Sequence, residues 1–227
     1  MKILVLALCA YTAFSAIESH RVTTNMPSCP FYENMFSGYL DVGGGKSHHY
    51  VYVESAGNPE TDPLLVWFNG GPGCSSMHGF IGELGPCVFM EDSSTAPEDN
   101  KFSWHHNASV VFMESPAGVG FNKFDGDFEF TDENSSIDNL NALLALYKGF
   151  PELKKLDLYL TGESYAGLYV PWLSYRILDH NRDTSDPDTK INLAGITIGN
   201  AVTNWEFDTV PAMVDMIFAH GLIDQKL

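Results

Sequence analysis

Basic residues are scarce in this sequence of 227 residues. Only 12 lysines and arginines stand against 29 aspartates and glutamates, which gives a formal net charge of −17 at pH 7. A surface with this excess of negative charge repels the phosphates of nucleic acids and of anionic membranes. We therefore expect neither nucleic acid nor a membrane as a partner.

A hydrophobic segment long enough to cross a membrane is also lacking. The apolar run over residues 3–16 follows the charge of Lys2 and closes on small residues, and it is shorter than the roughly 20 apolar residues that span a bilayer. This arrangement is typical of a secretory signal peptide. We predict that residues 1–16 are such a leader and that residues 17–227 belong to a single domain, of which they form the whole or the N-terminal part; a buried N-terminal helix is the less favoured alternative.

Cysteines are few, and no metal-binding motif is present. Outside the leader the chain keeps Cys29, Cys74 and Cys87, an odd number, so either one thiol is free or its partner lies outside this sequence. Their spacing matches no zinc pattern and there is no HExxH motif, so we expect no metal and no cofactor. The adjacent pairs His48-His49 and His105-His106 have no third ligand at a useful spacing, and we interpret them as residues of a strand or loop surface.

Short apolar runs alternate with helical patterns along the rest of the chain. We predict a hairpin over residues 36–53 and buried strands over 64–68, 110–113, 156–160 and 193–198. We also predict a helix capped by Asn134 or Ser135 and ending at Gly149, and a second helix over about 165–180. In that first helix, Ile137, Leu140, Leu143, Leu144 and Tyr147 are expected to share the buried side. Strands that alternate with helices indicate an α/β class with a mostly parallel sheet.

Ser164 stands where one of these strands passes into a helix. A nucleophile at such a sharp turn needs small neighbours two residues away on each side, and Gly162 and Ala166 meet that need; the pattern is close to the G-x-S-x-G nucleophile elbow. The alternative is a serine that only caps the following helix. The glycine-rich stretch over residues 67–76 (WFNGGPGCSS) follows another buried strand and could supply a backbone N–H to an oxyanion hole.

Several blocks in fixed order carry a resemblance to a known family. WFNGGPGCSS (67–76), GELGP (82–86), ESPAGVGF (114–121), TGESYAGLYVP (161–171) and ITIGN (196–200) resemble the signature blocks of the serine carboxypeptidases, the vacuolar and lysosomal group of carboxypeptidase Y and cathepsin A. The similarity extends from about Phe36 to the last residue. It departs from the usual pattern at Asn122, where serine is common, and at Ala201, where glycine is common, and both positions bear on subsite preference.

The resemblance implies an α/β-hydrolase fold and an exopeptidase that removes one C-terminal residue at acidic pH through an acyl-enzyme. It implies Ser164 as the nucleophile and the backbone amides of Gly71 and Tyr165 as oxyanion donors. It further implies a site for the substrate's terminal carboxylate, made of Trp67, Asn69, Gly70, Glu83 and Glu163. Peptide or protein C-termini are then the expected partners, and the lysosome, vacuole or extracellular space is the expected destination. The sequons at Asn107 and Asn134, which we predict as glycosylation sites, fit the secretory route.

A general base is not evident after Ser164. Only His180 and His220 follow it, and both are expected at helix C-termini, where a cation is an ordinary structural choice. Family members carry the triad Asp and His further along the chain, and there the cysteine that matches Cys74 pairs with a distant one. We therefore expect this chain to be the N-terminal part of a longer enzyme, or one chain of a two-chain enzyme, and to be inactive alone.

Three alternatives use the same residues differently. The protein could be an acyltransferase of the same family that uses an alcohol or amine as acceptor. It could be a secreted peptide-binding protein without catalysis, which keeps the cleft but lacks a working triad. A plain esterase or lipase gives no reason for Asn69, Glu83 and Glu163 to occur together.

Overall fold

The structure, a computed structural model, describes residues 18–24, 34–89 and 97–224. The predicted leader and Cys29 lie outside the described residues, so those predictions stay predictions. No helix in the described ranges is both long and apolar enough to cross a bilayer.

A seven-stranded sheet forms the centre of the described chain. In chain order the strands are β1 (Met35–Gly43), β2 (Lys46–Val53), β3 (Leu64–Phe68), β6 (Ser109–Met113), β7 (Lys123–Phe124), β8 (Leu158–Glu163) and β9 (Leu193–Gly199); β4 (Cys87–Val88) and β5 (Glu98–Asp99) form a separate two-stranded sheet. The predicted hairpin and the first three buried strands are confirmed, and the third begins two residues later than predicted. The fourth predicted strand forms β9, but it was wrongly expected to be buried, because β9 lies at the edge of the sheet and none of its residues is fully buried.

The strand order is β1-β2-β6-β3-β8-β9, with β7 paired to β2. β6, β3, β8 and β9 run parallel to one another, whereas β1 and β7 are antiparallel to β2, and β2 to β6. The prediction of a mostly parallel α/β sheet is confirmed. Because neighbouring parallel strands end at the same edge, the residues that follow β3, β6 and β8 are brought together there.

Helical segments cover both faces of the sheet. The helices are α1 (Asp132–Gly149), α2 (Ala166–Asp183), α3 (Trp205–Asp208) and α4 (Val210–Ala219), with a π-helical turn over Gly79–Glu83 and 3₁₀ turns over Trp104–His106, Pro151–Lys155 and Pro187–Thr189. α1 and α2 pack together on one face, against inward side chains of β3 such as Val66 and Phe68. Phe80 and Trp104 pack on the other face, with Trp67. Alternate residues of β3 therefore enter different cores, as expected for a strand buried on both sides.

α1 begins earlier than the sequence pattern indicates. Thr131 is its N-cap, and the Thr131 hydroxyl accepts a hydrogen bond of 3.1 Å from the Asn134 amide. The prediction of Asn134 or Ser135 as the cap was wrong, because Thr131 is followed by two acidic residues that favour the positive end of a helix. Ile137 was also expected on the buried side, but it is 41% exposed.

The far edge of the sheet exposes apolar surface. β9 is the last strand of the described order, and Ile196 within it is 47% exposed. α4 exposes Met213, Met216 and Phe218 to a similar degree. Within the described ranges, no further strand pairs with the outer side of β9, so this edge has open backbone groups beside apolar side chains.

Three of the four histidines in the adjacent pairs are buried, namely His48, His49 and His105, and their interpretation as surface residues was wrong, whereas His106 is exposed as expected. His48 is 0% exposed and His49 8%, and His105 is equally enclosed. Alternate residues of β2 enter the two cores on opposite faces of the sheet, with Tyr50 and Tyr52 in one and Val51 and Val53 in the other, so two consecutive residues can both be buried.

Acid pH is expected to destabilise the fold through His48. Neither ring nitrogen of His48 has a hydrogen-bond partner among the described residues, and burial, aided by Lys46, lowers the pKa of His48 from 6.5 to about 4. The native ring stays neutral while the unfolded chain gains a proton below about pH 6.5, so up to about 3 kcal/mol of unfolding free energy is lost between pH 6.5 and 4.

The His48→Leu variant should therefore lose less stability on acidification. Urea unfolding at pH 7.5 and pH 4.5 measures the effect, and the exposed His78→Leu is the matched control. An equal acid-dependent loss in wild type and His48→Leu would contradict this account.

Candidate active site

Ser164 occupies a strained turn between β8 and α2. Its φ of 56° lies in the left-handed region, which among the described non-glycine residues only Asn200 shares. The turn is held from both sides, because the Ser164 amide donates to the Gly199 carbonyl at 2.9 Å and the Ser164 carbonyl accepts from the Gly167 and Val202 amides. Ser164 itself is partly exposed rather than buried in the interior.

The small neighbours of Ser164 are required by space. A Cβ on Gly162 would lie 2.5 Å from both the Ala166 Cβ and the Phe68 carbonyl oxygen. Ala166 is fully buried. The small residues predicted on each side of Ser164 are thus needed to avoid clashes. The same need applies within α2, where a Cβ on Gly167 would lie 2.3 Å from the Val202 carbonyl oxygen.

The glycine-rich loop over residues 69–76 lies directly against this turn. A Cβ on Gly70 would meet the Tyr165 nitrogen at 2.4 Å, the Glu163 carbonyl oxygen at 2.7 Å and the Ser164 Cβ at 2.9 Å. β3 and β8 are neighbouring parallel strands with Phe68 opposite Gly162, which explains the contact. The structure therefore brings together the two segments that the sequence analysis treats as one site.

Two backbone amides at this contact have no partner in the described part of the chain, and they belong to Gly71 and Tyr165. Gly71 has a φ of 110°, which only glycine adopts without strain. The loop closes on itself through a hydrogen bond of 3.1 Å from the Cys74 amide to the Gly70 carbonyl, and the Gly73 amide donates to the Tyr169 hydroxyl at 3.2 Å. Unpaired amides beside a solvent-accessible serine are what an oxyanion hole needs.

Asn69 connects two carboxyl groups next to Ser164. Its Nδ2 donates to Glu83 Oε1 at 3.1 Å and to Glu163 Oε1 at 3.0 Å. Its Oδ1 accepts from Trp67 Nε1 at 2.8 Å and from the Gly79 amide at 2.9 Å. Asn69 is 3% exposed, so these four bonds fix the orientation of its amide. Every residue predicted for carboxylate recognition, together with the adjacent Gly70, lies within this cluster.

The surroundings of Glu83 favour its protonated form. Although the Glu83 side chain reaches solvent, partial burial is the largest influence on the pKa of Glu83 and raises it, and the neighbouring Glu163 raises it further. The hydrogen bond from Asn69 acts in the opposite direction without reversing the result. Glu83 therefore holds a proton more readily than an ordinary glutamate.

The candidate bases lie away from Ser164. His180 Nε2 contacts the Thr189 carbonyl at 3.0 Å, and His220 Nδ1 contacts the Met216 carbonyl at 2.8 Å. No histidine in the described ranges is hydrogen-bonded to Ser164. Among the described residues, Ser164, the glycine-rich loop and the carboxyl cluster thus come together without a histidine bonded to Ser164.

Two of the cysteines and both sequon asparagines lie among the described residues. Cys74 in the glycine-rich loop is free and exposed, whereas Cys87 is buried and disulfide-bonded. Asn107 and Asn134 are both exposed, so their side chains are accessible to a glycosylating enzyme. Within the described chain, no group of three or more His, Cys, Asp and Glu side chains is arranged to hold a metal ion.

Three residues beside the site were missed by sequence reasoning. Glu114 is fully buried and contacts His49 and Ser75 behind the glycine-rich loop. The available signal was the acidic residue directly after the buried run over 110–113, which marks the same sheet edge as Asn69 and Ser164. Because His49 was interpreted as a surface residue, its contact with the buried Glu114 was not predicted.

Comparison with known proteins gives a consistent result. A family model described as serine carboxypeptidase matches residues 27–227. The chain is 37% identical to the serine carboxypeptidase ctsa-4.1 of Caenorhabditis elegans over 100% of this chain and 47% of the relative, and 38% identical to the lysosomal protective protein of Mus musculus over 85% of this chain and 39% of the relative. The chain therefore spans less than half the length of these curated relatives.

A solved structure agrees in fold. The crystal structure of Kex1(delta)p, a prohormone-processing carboxypeptidase from Saccharomyces cerevisiae, superposes with a TM-score of 0.80 and 25% identity, covering 92% of this chain and 48% of that one. The match confirms the predicted α/β-hydrolase fold.

Proposed function

The chain belongs to the serine carboxypeptidase family, and from this premise we propose that it carries the nucleophile and the substrate-recognition half of a secreted exopeptidase. The reaction is release of the C-terminal residue of a peptide through an acyl-enzyme, favoured at acidic pH. The observation that carries the proposal is the contact of Gly70 with the Ser164 turn, next to the Asn69-centred carboxyl cluster.

Ser164 acts as the nucleophile in this proposal. Its Oγ forms a bond to the carbonyl carbon of the last peptide bond while a base accepts the hydroxyl proton. The carbonyl oxygen becomes an oxyanion that the Gly71 and Tyr165 amides stabilise. The carbon–nitrogen bond then breaks, the base returns its proton to the leaving amine, and water attacks the Ser164 ester to release the shortened peptide.

The carboxyl cluster selects a free C-terminus. The Asn69 amide and a protonated carboxyl of Glu83 or Glu163 can donate to the terminal carboxylate of a peptide, whereas two ionised carboxylates would repel it. Trp67 orients Asn69, and the absence of a side chain at Gly70 lets the loop lie against the Ser164 turn. This recognition explains why an exopeptidase needs acidic groups where an ordinary esterase does not.

The base comes from a segment outside this sequence, on the same polypeptide or on a second chain. The exposed edge of β9 and the apolar side chains of α4 support this proposal, because they offer a surface on which such a segment can pack. We use the term complete enzyme for this chain together with the segment that supplies the base.

The proposed compartment is an acidic part of the secretory pathway, such as the lysosome or vacuole, or the extracellular space. The name of the mouse relative places that protein in the lysosome. The raised pKa of Glu83 supports an acidic working environment, and exposed sequons at Asn107 and Asn134 are proposed glycosylation sites.

Substrate binding by the complete enzyme should weaken as pH rises. Protonated Glu83 donates to the substrate carboxylate, so above its pKa the KM for a blocked dipeptide with a free C-terminus should rise by up to ~10-fold per pH unit. Glu83→Gln keeps a donor that does not titrate, and its KM should change much less between pH 4.5 and 7.5.

The same dipeptide with an amidated C-terminus is the control substrate. It should be a poor substrate for the wild type at every pH, because the cluster then has no carboxylate to bind. Equal turnover of the free and amidated dipeptides would contradict the proposed exopeptidase function.

A further inference from the structure

Glu114 is a fully buried carboxyl group with no part in the chemistry proposed above. It directly follows β6, which pairs in parallel with β3, the strand that leads into Asn69. An isolated carboxylate in the interior is strongly unfavourable unless it is hydrogen-bonded. The contacts of Glu114 therefore indicate what it is for.

Three donors surround the Glu114 carboxylate. The Ser75 hydroxyl donates to Oε1, the Phe121 amide donates to Oε2 at 2.6 Å, and His49 Nδ1 donates to Oε2 at 3.2 Å. Burial by itself raises the pKa of Glu114, but the hydrogen bonds from His49, Ser75 and Phe121 outweigh burial and hold that pKa below its usual range. A carboxyl group that only accepts from donors is ionised.

The surrounding chain is shaped around this group. A Cβ on Gly120, which has a φ of 55°, would lie 1.7 Å from Glu114 Oε1. Asn122 Nδ2 donates to the Glu114 carbonyl at 3.1 Å and to the Pro116 carbonyl at 2.8 Å, while its Oδ1 accepts from the His49 amide at 2.6 Å. The carboxylate is thus fixed between β2 and the segment that follows β6.

The link from Glu114 to the active site passes through Ser75. The Ser75 hydroxyl donates to Glu114 and accepts from the Met77 amide at 3.1 Å. The next residue, Ser76, accepts at its hydroxyl from the Asn69 amide at 3.2 Å. Two consecutive serines therefore attach the end of the glycine-rich loop to two different parts of the sheet edge, and Ser75 is the one that connects it to a buried charge.

We propose that Glu114 is a positioning residue that acts through Ser75 to hold the 69–76 loop, so that the Gly71 amide stays opposite Ser164. Glu114 does not touch the substrate. The assignment rests on the proposed function, because it matters only if the Gly71 amide stabilises an oxyanion. Loss of the link should loosen the loop on one side while the Asn69-centred cluster stays in place.

Ser75→Ala and Glu114→Gln in the complete enzyme test this assignment. In each variant, kcat for the blocked dipeptide should fall about 10- to 100-fold, because a small displacement of an oxyanion donor is sufficient for such a loss. KM should change less than about threefold, since Asn69, Glu83 and Glu163 are unaltered. Ser75→Thr keeps the hydroxyl and should recover most of kcat, and Ser174→Ala, whose hydroxyl bonds within α2 to the Val170 carbonyl, is the matched control.

Hydrogen exchange adds a readout that does not depend on turnover. The Gly73 and Cys74 amides should exchange about 10-fold faster in Ser75→Ala than in wild type, whereas peptides of α1 should be unchanged. A complete wild-type enzyme without turnover would overturn the proposed function and this assignment with it. If the wild-type enzyme is active and Ser75→Ala keeps the wild-type kcat, or its kcat falls no further than that of Ser75→Thr, this assignment alone is overturned. If Glu114→Gln fails to fold, the result for Ser75→Ala decides.

Discussion

Replacing Ser164 by alanine should reduce kcat of the complete enzyme by at least ~10⁴-fold. Alanine accepts the same left-handed backbone about as well as serine, so the turn at φ 56° should persist and only the nucleophile is lost. The expected signature is loss of turnover with little change in the affinity for a peptide that carries a free C-terminus. Steady-state hydrolysis of a blocked dipeptide at acidic pH, together with calorimetric titration of an uncleaved peptide, measures both.

The Ser164→Ala experiment needs two controls, a serine variant away from the site and the 227-residue chain alone. Ser174→Ala removes a hydroxyl from the same helix, away from the site, and should keep wild-type turnover. The 227-residue chain alone should show no turnover, because no histidine of its described part is bonded to Ser164. Turnover by this chain alone that disappears in Ser164→Ala would show that the base is within it and would refute our placement of the base elsewhere.

Gly70→Ala should damage the active site nearly as severely as loss of the nucleophile. The added Cβ would lie 2.4 Å from the Tyr165 nitrogen and 2.7 Å from the Glu163 carbonyl oxygen, and backbone atoms cannot move aside as a flexible side chain can. The loop must separate from the Ser164 turn, so we expect kcat/KM to fall by ~10²-fold or more and the unfolding free energy to fall by ~1–3 kcal/mol.

Gly82→Ala is the matched control for that substitution. No atom lies within 4 Å of the position that its Cβ would occupy, so its unfolding free energy should stay within ~0.5 kcal/mol of wild type. Thermal unfolding and dipeptide hydrolysis on both variants make the comparison. If Gly70→Ala kept wild-type kcat/KM, the close approach of the loop to Ser164 would have no catalytic role.

The sequence predicted the strands and the elbow well because their signals are local. The run over residues 64–68 was predicted with the bounds that β3 has in the structure. The small residues around Ser164 indicated a tight turn, and the structure shows which atoms would clash with larger side chains. The helix cap at Thr131 was missed because hydrophobic spacing marks the middle of a helix better than its ends. The hydrogen bond between Glu114 and His49 was missed because the two residues are 65 positions apart in the chain.

The burial of His48 and His49 could not be read from composition. Adjacent polar residues usually indicate a surface, but the side chains of β2 are enclosed because a hydrophobic core packs on each face of the sheet. Which residues are buried thus depends on packing between segments that are distant in the chain.

The sequence by itself determined the strand–turn–helix that carries Ser164, the glycines that permit a tight loop, and the net negative charge from which we predict no nucleic-acid partner. These features follow from steric and electrostatic rules that act over a few residues. Only the tertiary structure decided that Gly70 meets Tyr165 and that Asn69 joins Glu83 to Glu163, because the parallel register of β3 and β8 sets those contacts. Such a register forms between segments some 90 residues apart, and no local preference specifies it.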